Sequence, residues 1–291
     1  MGFSHNGSIL SYFDTNVFDN LIKRTNGVTD ADREQLHAEV SSGRLRVVVG
    51  HTTIREALAA LESRPDIART QLELIASLAD WDRFVLLSSE ILENDVKHFA
   101  FNGEAANTPF ERDAAHIRSK LQLIIEGRIG FGELEAVIGE DREYKTGFQD
   151  TVKRANAGIA PELEEFRKAN GIPSFEEFFE DGMQAQVLAF VESFGLVEEC
   201  KSHGLDKLSK IPSIRALIGL GMSFMYRTSV GKKSTKGSFA RDIQHAVSAA
   251  SAADVFVTHD EELSFMLHRV PIKRFQVLRL HELLDRTDNS G

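Results

Sequence analysis

The sequence predicts an α/β fold, a three-layer α/β/α arrangement in which a central, mainly parallel sheet is covered on both faces by helices. Two observations carry this. Short apolar runs rich in β-branched or aromatic residues are followed repeatedly by a polar capping turn and a helix-periodic stretch. Their spacing is that of strand-helix-strand units, whose crossovers cover a parallel sheet.

Taken in order, Ser8 to Phe13 reads as a first buried strand, and Asp14-Thr15-Asn16 as the capping turn after it. Arg44 to Gly50 carries the β-branched run of a second strand, and His51-Thr52-Thr53 opens a helix expected to run through Leu61. A weaker third copy follows: a strand over Arg83 to Leu87, a Ser88-Ser89 cap and a helix through about Phe101. Late in the chain Ser238 caps a helix through Ala252, Asp254 to Thr258 reads as a strand, and Asp260 starts a helix ending near His268. Gln276 to Leu280 is expected as a final edge strand.

Between these parts lies a different pattern. Stretches such as Ala114 to Glu126 and Pro161 to Asn170 have helical spacing, with breaks at Asn102-Gly103, Gly130-Phe131-Gly132, Asn170-Gly171 and His203-Gly204. The expected organisation is therefore an α/β domain in two parts, residues 1–101 and 211–291, interrupted by a large helical insertion over 102–210. The phenylalanine-rich Phe175-Glu176-Glu177-Phe178-Phe179-Glu180 fits an amphipathic helix packed on the core.

Composition removes several classes. Of 291 residues 42% are hydrophobic and 27% charged, which excludes wholesale disorder. Cys200 is the only cysteine, so an internal disulfide and any multi-cysteine metal site are excluded. No apolar run reaches the roughly 20 residues that span a bilayer, and Met1 to Gly7 lacks the order of a secretion signal. A cytoplasmic protein with no membrane partner is expected. The net charge of −10 opposes a general nucleic-acid coat, but it is unevenly spread: residues 161–200 hold ten acids and two bases, and residues 201–241 nine bases and one acid.

Ligands of an open parallel sheet gather at the carboxyl ends of its strands. Asp14 and Asp260 sit there, Glu56 lies early in the helix after the second strand, and Asp242 near the start of the helix leading to the Asp254 strand. Four converging carboxylates offer the hard oxygen ligands that Mg²⁺ and Mn²⁺ prefer. Without a cation they would repel one another and raise each other's pKa values. Taken singly, Asp14 and Asp260 also fit N-caps, and Glu56 and Asp242 fit first-turn acids favoured by the helix dipole. Asp254 is left out, because six strand residues at about 3.3 Å each separate it from Asp260.

Phe13-Asp14-Thr15-Asn16-Val17-Phe18, Ile54-Arg55-Glu56-Ala57-Leu58, Asp242-Ile243-Gln244-His245-Ala246 and Val257-Thr258-His259-Asp260 resemble, in that order, the successive motifs of PIN domains. The resemblance covers roughly 1–100 and 211–291. It implies a PIN-like fold and a metal-dependent nuclease using Mg²⁺ or Mn²⁺. Asp14, Glu56, Asp242 and Asp260 would be the catalytic and metal-binding set, and Asn16 and Thr258 supporting polar residues. RNA is the expected substrate ahead of DNA, with hydrolysis leaving a 5′-phosphate and a 3′-hydroxyl. The resemblance also raises a toxin role, with an antitoxin or other regulatory protein as partner, and self-association into a homo-oligomer stays open.

Around this set, His245 follows Asp242 by three residues and shares its helix face, either touching phosphate or buried and hydrogen-bonded. Lys232, Lys233, Lys236 and Arg241, with Arg227, are expected to form a basic loop on substrate phosphates. Gly231-Lys232-Lys233-Ser234-Thr235 lacks the upstream glycine and strand of a phosphate loop, so an ATPase is not expected. The rivals to an endoribonuclease are a DNA nuclease, a catalytically silent RNA-binding or assembly module, and a phosphatase-like hydrolase.

Overall fold

Four short strands pair into one sheet in a computed structural model that describes residues 7–130, 132–134, 139, 171, 173–231 and 239–288. They are β1 (Ile9–Phe13), β2 (Leu45–Val48), β3 (Val255–Val257) and β4 (Gln276–Leu278), in the spatial order β2-β1-β3-β4. Every ladder is parallel: Tyr12 lies beside Val48 and Phe256, and Phe256 beside Val277. The helix expected over 161–170, the cap at Ser238 and the lysines at 232, 233 and 236 lie outside the described residues.

Strand alternation decides which residues face which layer. Phe13, Leu45, Val47, Val257 and Leu278 point to one face, where they pack against α1 (Thr15–Lys23), α2 (Asp30–Ser41), α3 (His51–Ala59), α4 (Pro65–Leu78), α6 (Ala114–Ile125) and α13 (Leu280–Asp288). Leu10, Tyr12, Val48, Phe256 and Val277 point to the other, covered by α10 (Pro212–Gly231), α11 (Phe239–Ala252) and α12 (Glu261–His268), with Ile91 of α5 (Ser88–Asn102). The result is the expected α/β class, a parallel sheet between two helical layers.

A third apolar cluster lies outside that layer. On α7 (Phe175–Glu192), Phe175, Phe179, Met183, Val187 and Val191 fall on one stripe and meet Val96 and Phe99 of α5 and Ile214, Ile218 and Met222 of α10. The phenylalanine-rich stretch is thus an amphipathic helix, started by a capping box between Ser174 and Glu177. The short α8 (Val197–His203) and α9 (Leu205–Leu208) close the same cluster through Cys200 and Leu208. Asp95 of α5 ties these parts together, accepting from the Ser213 hydroxyl at 2.5 Å and from the Ala106 N–H at 3.0 Å. None of the described helices is long and apolar enough to cross a membrane.

Three local expectations change. Arg83 to Leu87 is not a strand: Trp81–Arg83 is a 3-10 turn, and only Val85 bridges the sheet, beside Gly50. The reason lies in its hydrogen bonds, which divide between Val49 and His51 on one side and the Pro109–Glu111 loop on the other. The final strand stops at Leu278 because Leu280 begins α13, and α3 ends at Ala59 rather than Leu61.

Gly219 lets α10 approach the Val270 segment, for a Cβ there would overlap the Val270 side chain. Gly219→Ala removes a helix-propensity handicap of about 1 kcal/mol, yet crowding dominates. A net loss of about 1–3 kcal/mol is expected in urea unfolding; a gain would show that this approach is not tight.

Candidate metal centre

The central pair β1 and β3 is where the chain changes direction. From β1 it leaves through α1 and α2 on one face to reach β2, and from β3 through α12 on the other to reach β4. A crevice opens at the carboxyl ends of such a pair. The ladder carries on past both strands, with Asp14 N–H donating to Val257 O at 3.0 Å and Thr258 N–H to Leu278 O at 3.1 Å.

Asp14 occupies the N-cap position of α1, but its side chain makes no capping bond. Its carboxylate turns sideways instead. Oδ2 accepts from Asn16 Nδ2 at 2.6 Å and from the Thr258 hydroxyl at 2.8 Å, and Oδ1 lies 3.6 Å from His245 Nε2. Asn16 also accepts from the His259 N–H, and Thr258 Oγ1 from the Asp260 N–H, so the two polar residues brace Asp14 against the turn after β3. Asp260 does cap its helix: Oδ1 accepts from Glu262 N and Leu263 N, at 2.8 and 2.9 Å. His259 points elsewhere, with Nδ1 2.6 Å from Asn20 Nδ2, and has a structural place between α1 and α13.

The opposite wall comes from α3 and α11. Glu56 receives Arg241 Nη1 on Oε1 at 3.1 Å and His245 Nε2 on Oε2 at 2.9 Å. Arg241 and His245 are four residues apart on α11, so one helix face delivers both cations to one carboxylate. His245 is buried and its ring is held from behind. Nδ1 lies 3.1 Å from Tyr12 Oη, which lies 3.3 Å from Thr53 Oγ1, and Thr15 Oγ1 is 3.4 Å from Nε2. One donor atom each of Asp14, Glu56 and His245 falls within 4.8 Å of the others.

Burial penalises charge on all these groups, and their neighbours decide the outcome. For Glu56 burial is outweighed by His245 and Arg241, with help from Thr15, and the carboxyl is held down at about 2. Burial also opposes charge on His245, yet Tyr12, Asp14 and Glu56 raise its pKa well above the ordinary value. Asp14 is raised by burial and by Glu56, against the pull of His245 and Thr258. Asp242, a turn before His245, is pushed up to about 8 by burial and by Asp14, Asp260 and Glu56, with His245 opposing. Asp14, Glu56 and Asp260 thus all act on Asp242, and His245 opposes them.

Of the basic residues expected on substrate phosphates, Arg241 lies on Glu56, and Arg227 pairs with Glu262 at 2.9 Å. Lys232, Lys233 and Lys236 lie outside the described residues. Asp254 is at the far end of β3, its N–H bonded to Leu10 O. Sequence reasoning missed Tyr12, Thr15 and Thr53 around His245. The signal for Tyr12 was present, since strand alternation puts it on the face of Phe256, toward α11. Comparison with known proteins finds no family model, no curated protein and no solved structure that matches the chain.

The elevated Asp242 has a consequence for stability. Its folded pKa of about 8 stands above the ordinary 3.8, so the folded state holds a proton that the unfolded state releases. Stability contributed by this group therefore falls as pH rises across that window and is level above it. Asp242→Asn should raise the melting temperature of the EDTA-treated protein, with a gain that grows from about pH 4 to about pH 8. A pH-independent difference would mean that Asp242 ionises normally.

Proposed function

We propose that the chain is a PIN-like, metal-dependent nuclease that hydrolyses phosphodiester bonds, with RNA as its first substrate. The observation that carries the reading is the meeting of Asp14, Glu56 and His245 where β1 and β3 end, one donor atom of each within 4.8 Å of the others. Burial, with Asp14, Asp260 and Glu56 beside it, pushes Asp242 up to about 8, a penalty a divalent cation would relieve. The donor set fits: Asp14 and Glu56 offer carboxylate oxygens close together, and Asp242 and Asp260 lie in the same field.

Asp14, Glu56, Asp242 and Asp260 would hold Mg²⁺ or Mn²⁺, which would supply Lewis-acid activation of water and neutralise charge at phosphorus. The chain's own groups do the positioning. Asn16 and Thr258 fix Asp14 Oδ2, which leaves Oδ1 on the side of His245, 3.6 Å from its Nε2. Asp260 is anchored through one oxygen by its own helix, so its carboxylate is presented without rotamer freedom. His245 and Arg241 orient Glu56 and keep it ionised at any working pH. His245, 2% exposed and backed by Tyr12, is held in place against Asp14 and Glu56.

A second reading, a PIN-like module that binds without turnover, is favoured by one observation: Glu56 is already paired with both Arg241 and His245. Cleavage separates the two. Single-stranded RNA and DNA incubated with Mn²⁺ or Mg²⁺ should be cut, EDTA should stop it, and Asp14→Asn and Asp242→Asn should each slow it by on the order of 100-fold or more. Full activity in both variants, or cleavage in EDTA, would overturn the mechanism. Metal binding should also release close to one proton at neutral pH, because Asp242 must ionise. Affinity for Mn²⁺ should then climb by about tenfold per pH unit below pH 8. Calorimetry in buffers of different ionisation enthalpy reads this directly; no proton release would remove Asp242 from the ligand set.

A further inference from the structure

Beyond Asp260, α12 carries an unusual outer face. Glu261, Ser264, Phe265 and His268 follow one another at i, i+3, i+4 and i+7 and so share one side of the helix. With Thr258, His259, Asp260 and Arg279 they line an open cleft of about 270 Å³ that borders the acidic centre at Asp260 and Thr258. In it Phe265 is 53% exposed, one of two large hydrophobic side chains so exposed among the described residues. A phenyl ring left in water beside a polar cleft calls for a partner with an apolar face.

Its surroundings say what kind of partner. Arg227 and Arg269 bring guanidinium groups to 5.7 and 5.2 Å from the Phe265 centroid. Arg269 also lies over Phe175, at 4.7 Å, and makes no ion pair among the described residues. Arg279 pairs with Glu261 at 2.8 Å, but the two side chains are 50% and 81% exposed. An ion pair that open is worth little, so an incoming phosphate can exchange with the carboxylate. Arg227 is held more firmly by Glu262 and serves the ring rather than a ligand. The cleft thus combines a half-exposed aromatic ring, an exchangeable cation in Arg279 and a border on the acidic centre at Asp260.

We propose that this cleft is a subsite for one unpaired nucleobase, stacked on Phe265, of a single-stranded polynucleotide whose neighbouring phosphate lies at the acidic centre. The proposal rests on the nuclease reading above and adds the strand state of the substrate. Every base has a π face, so stacking on an isolated ring is tolerant of sequence, whereas bases of a duplex have both faces covered by their neighbours. The site therefore selects single strands over duplexes and does not select one base over another.

The test is binding without cleavage. Fluorescence anisotropy of labelled single-stranded RNA, single-stranded DNA and a duplex of the same length is measured with Ca²⁺ in place of Mg²⁺. The wild type should prefer the single strands, and Phe265→Ala should weaken them on the order of tenfold while leaving duplex affinity unchanged. Phe265→Trp should keep the affinity, and its added emission should be quenched by an oligonucleotide with bases but not by an abasic one. Trp81, the only native tryptophan, is subtracted with the wild-type protein. If the wild type binds but Phe265→Ala binds equally, or the new tryptophan is not quenched, the subsite is wrong and the nuclease reading stands. If the wild type neither binds nor cuts any polynucleotide, both fall.

Discussion

The ladder between β1 and β3 joins residues 244 positions apart, and everything at the candidate centre hangs on it. Its parallel direction brings both carboxyl ends to one edge of the sheet, and the helices that follow leave toward opposite faces. Asp14 and Thr258 are next to each other for this reason alone. Their hydrogen bond then sets the orientation of Asp14, and the Thr258 hydroxyl accepts the N–H of Asp260. A slip of one residue along this ladder would turn Asp14 to the other face of the sheet and dissolve the cluster.

What the ladder assembles is electrostatically expensive. Asp14 and Glu56 meet at His245 in a largely buried place, with Asp260 and Asp242 in the same field, and the fold answers with two cations from one helix rather than by spreading the acids apart. His245 and Arg241 settle on Glu56, whose carboxyl is thereby held down at about 2, while burial and the neighbouring acids push Asp242 up to about 8. Charge of this kind costs stability, and proteins keep such arrangements where a ligand repays them.

The outer helices give this arrangement a floor and a rim. Helix α10 packs along α11, and the third apolar cluster of α5, α7 and α10 backs it from outside, so the helix that carries Asp242 and His245 is held between two packed layers. Arg269, at the end of α12, joins the aromatic rings of Phe175 and Tyr226 to that of Phe265. Residues from the middle of the chain thereby shape the approach to a centre built from its two ends.

Much of the sheet could be read from local pattern. β1, β2, β3 and β4 each have an apolar run with a capping turn behind it, and those features depend on neighbours only a few residues away. Arg83 to Leu87 has the same composition, yet its backbone partners lie on a remote loop as well as just past β2, so composition could not say that it would form only isolated bridges through Val85. Asp260 reads as a cap and is one; Asp14 reads as a cap and is not, because Asn16 and Thr258 compete for its carboxylate.

The sequence by itself determined the α/β class, the strand ends at which acids would gather and the helix face that joins Asp242 to His245, since each follows from spacing of 2.0 or about 3.6 residues. Only the tertiary structure decided that His245 and Arg241 both serve Glu56, that Tyr12 and Thr53 stand behind the imidazole, and that Phe265 opens onto the same cleft as Asp260. Those are contacts between segments far apart in the chain. Their energies depend on burial and on neighbouring charge, which no local spacing encodes.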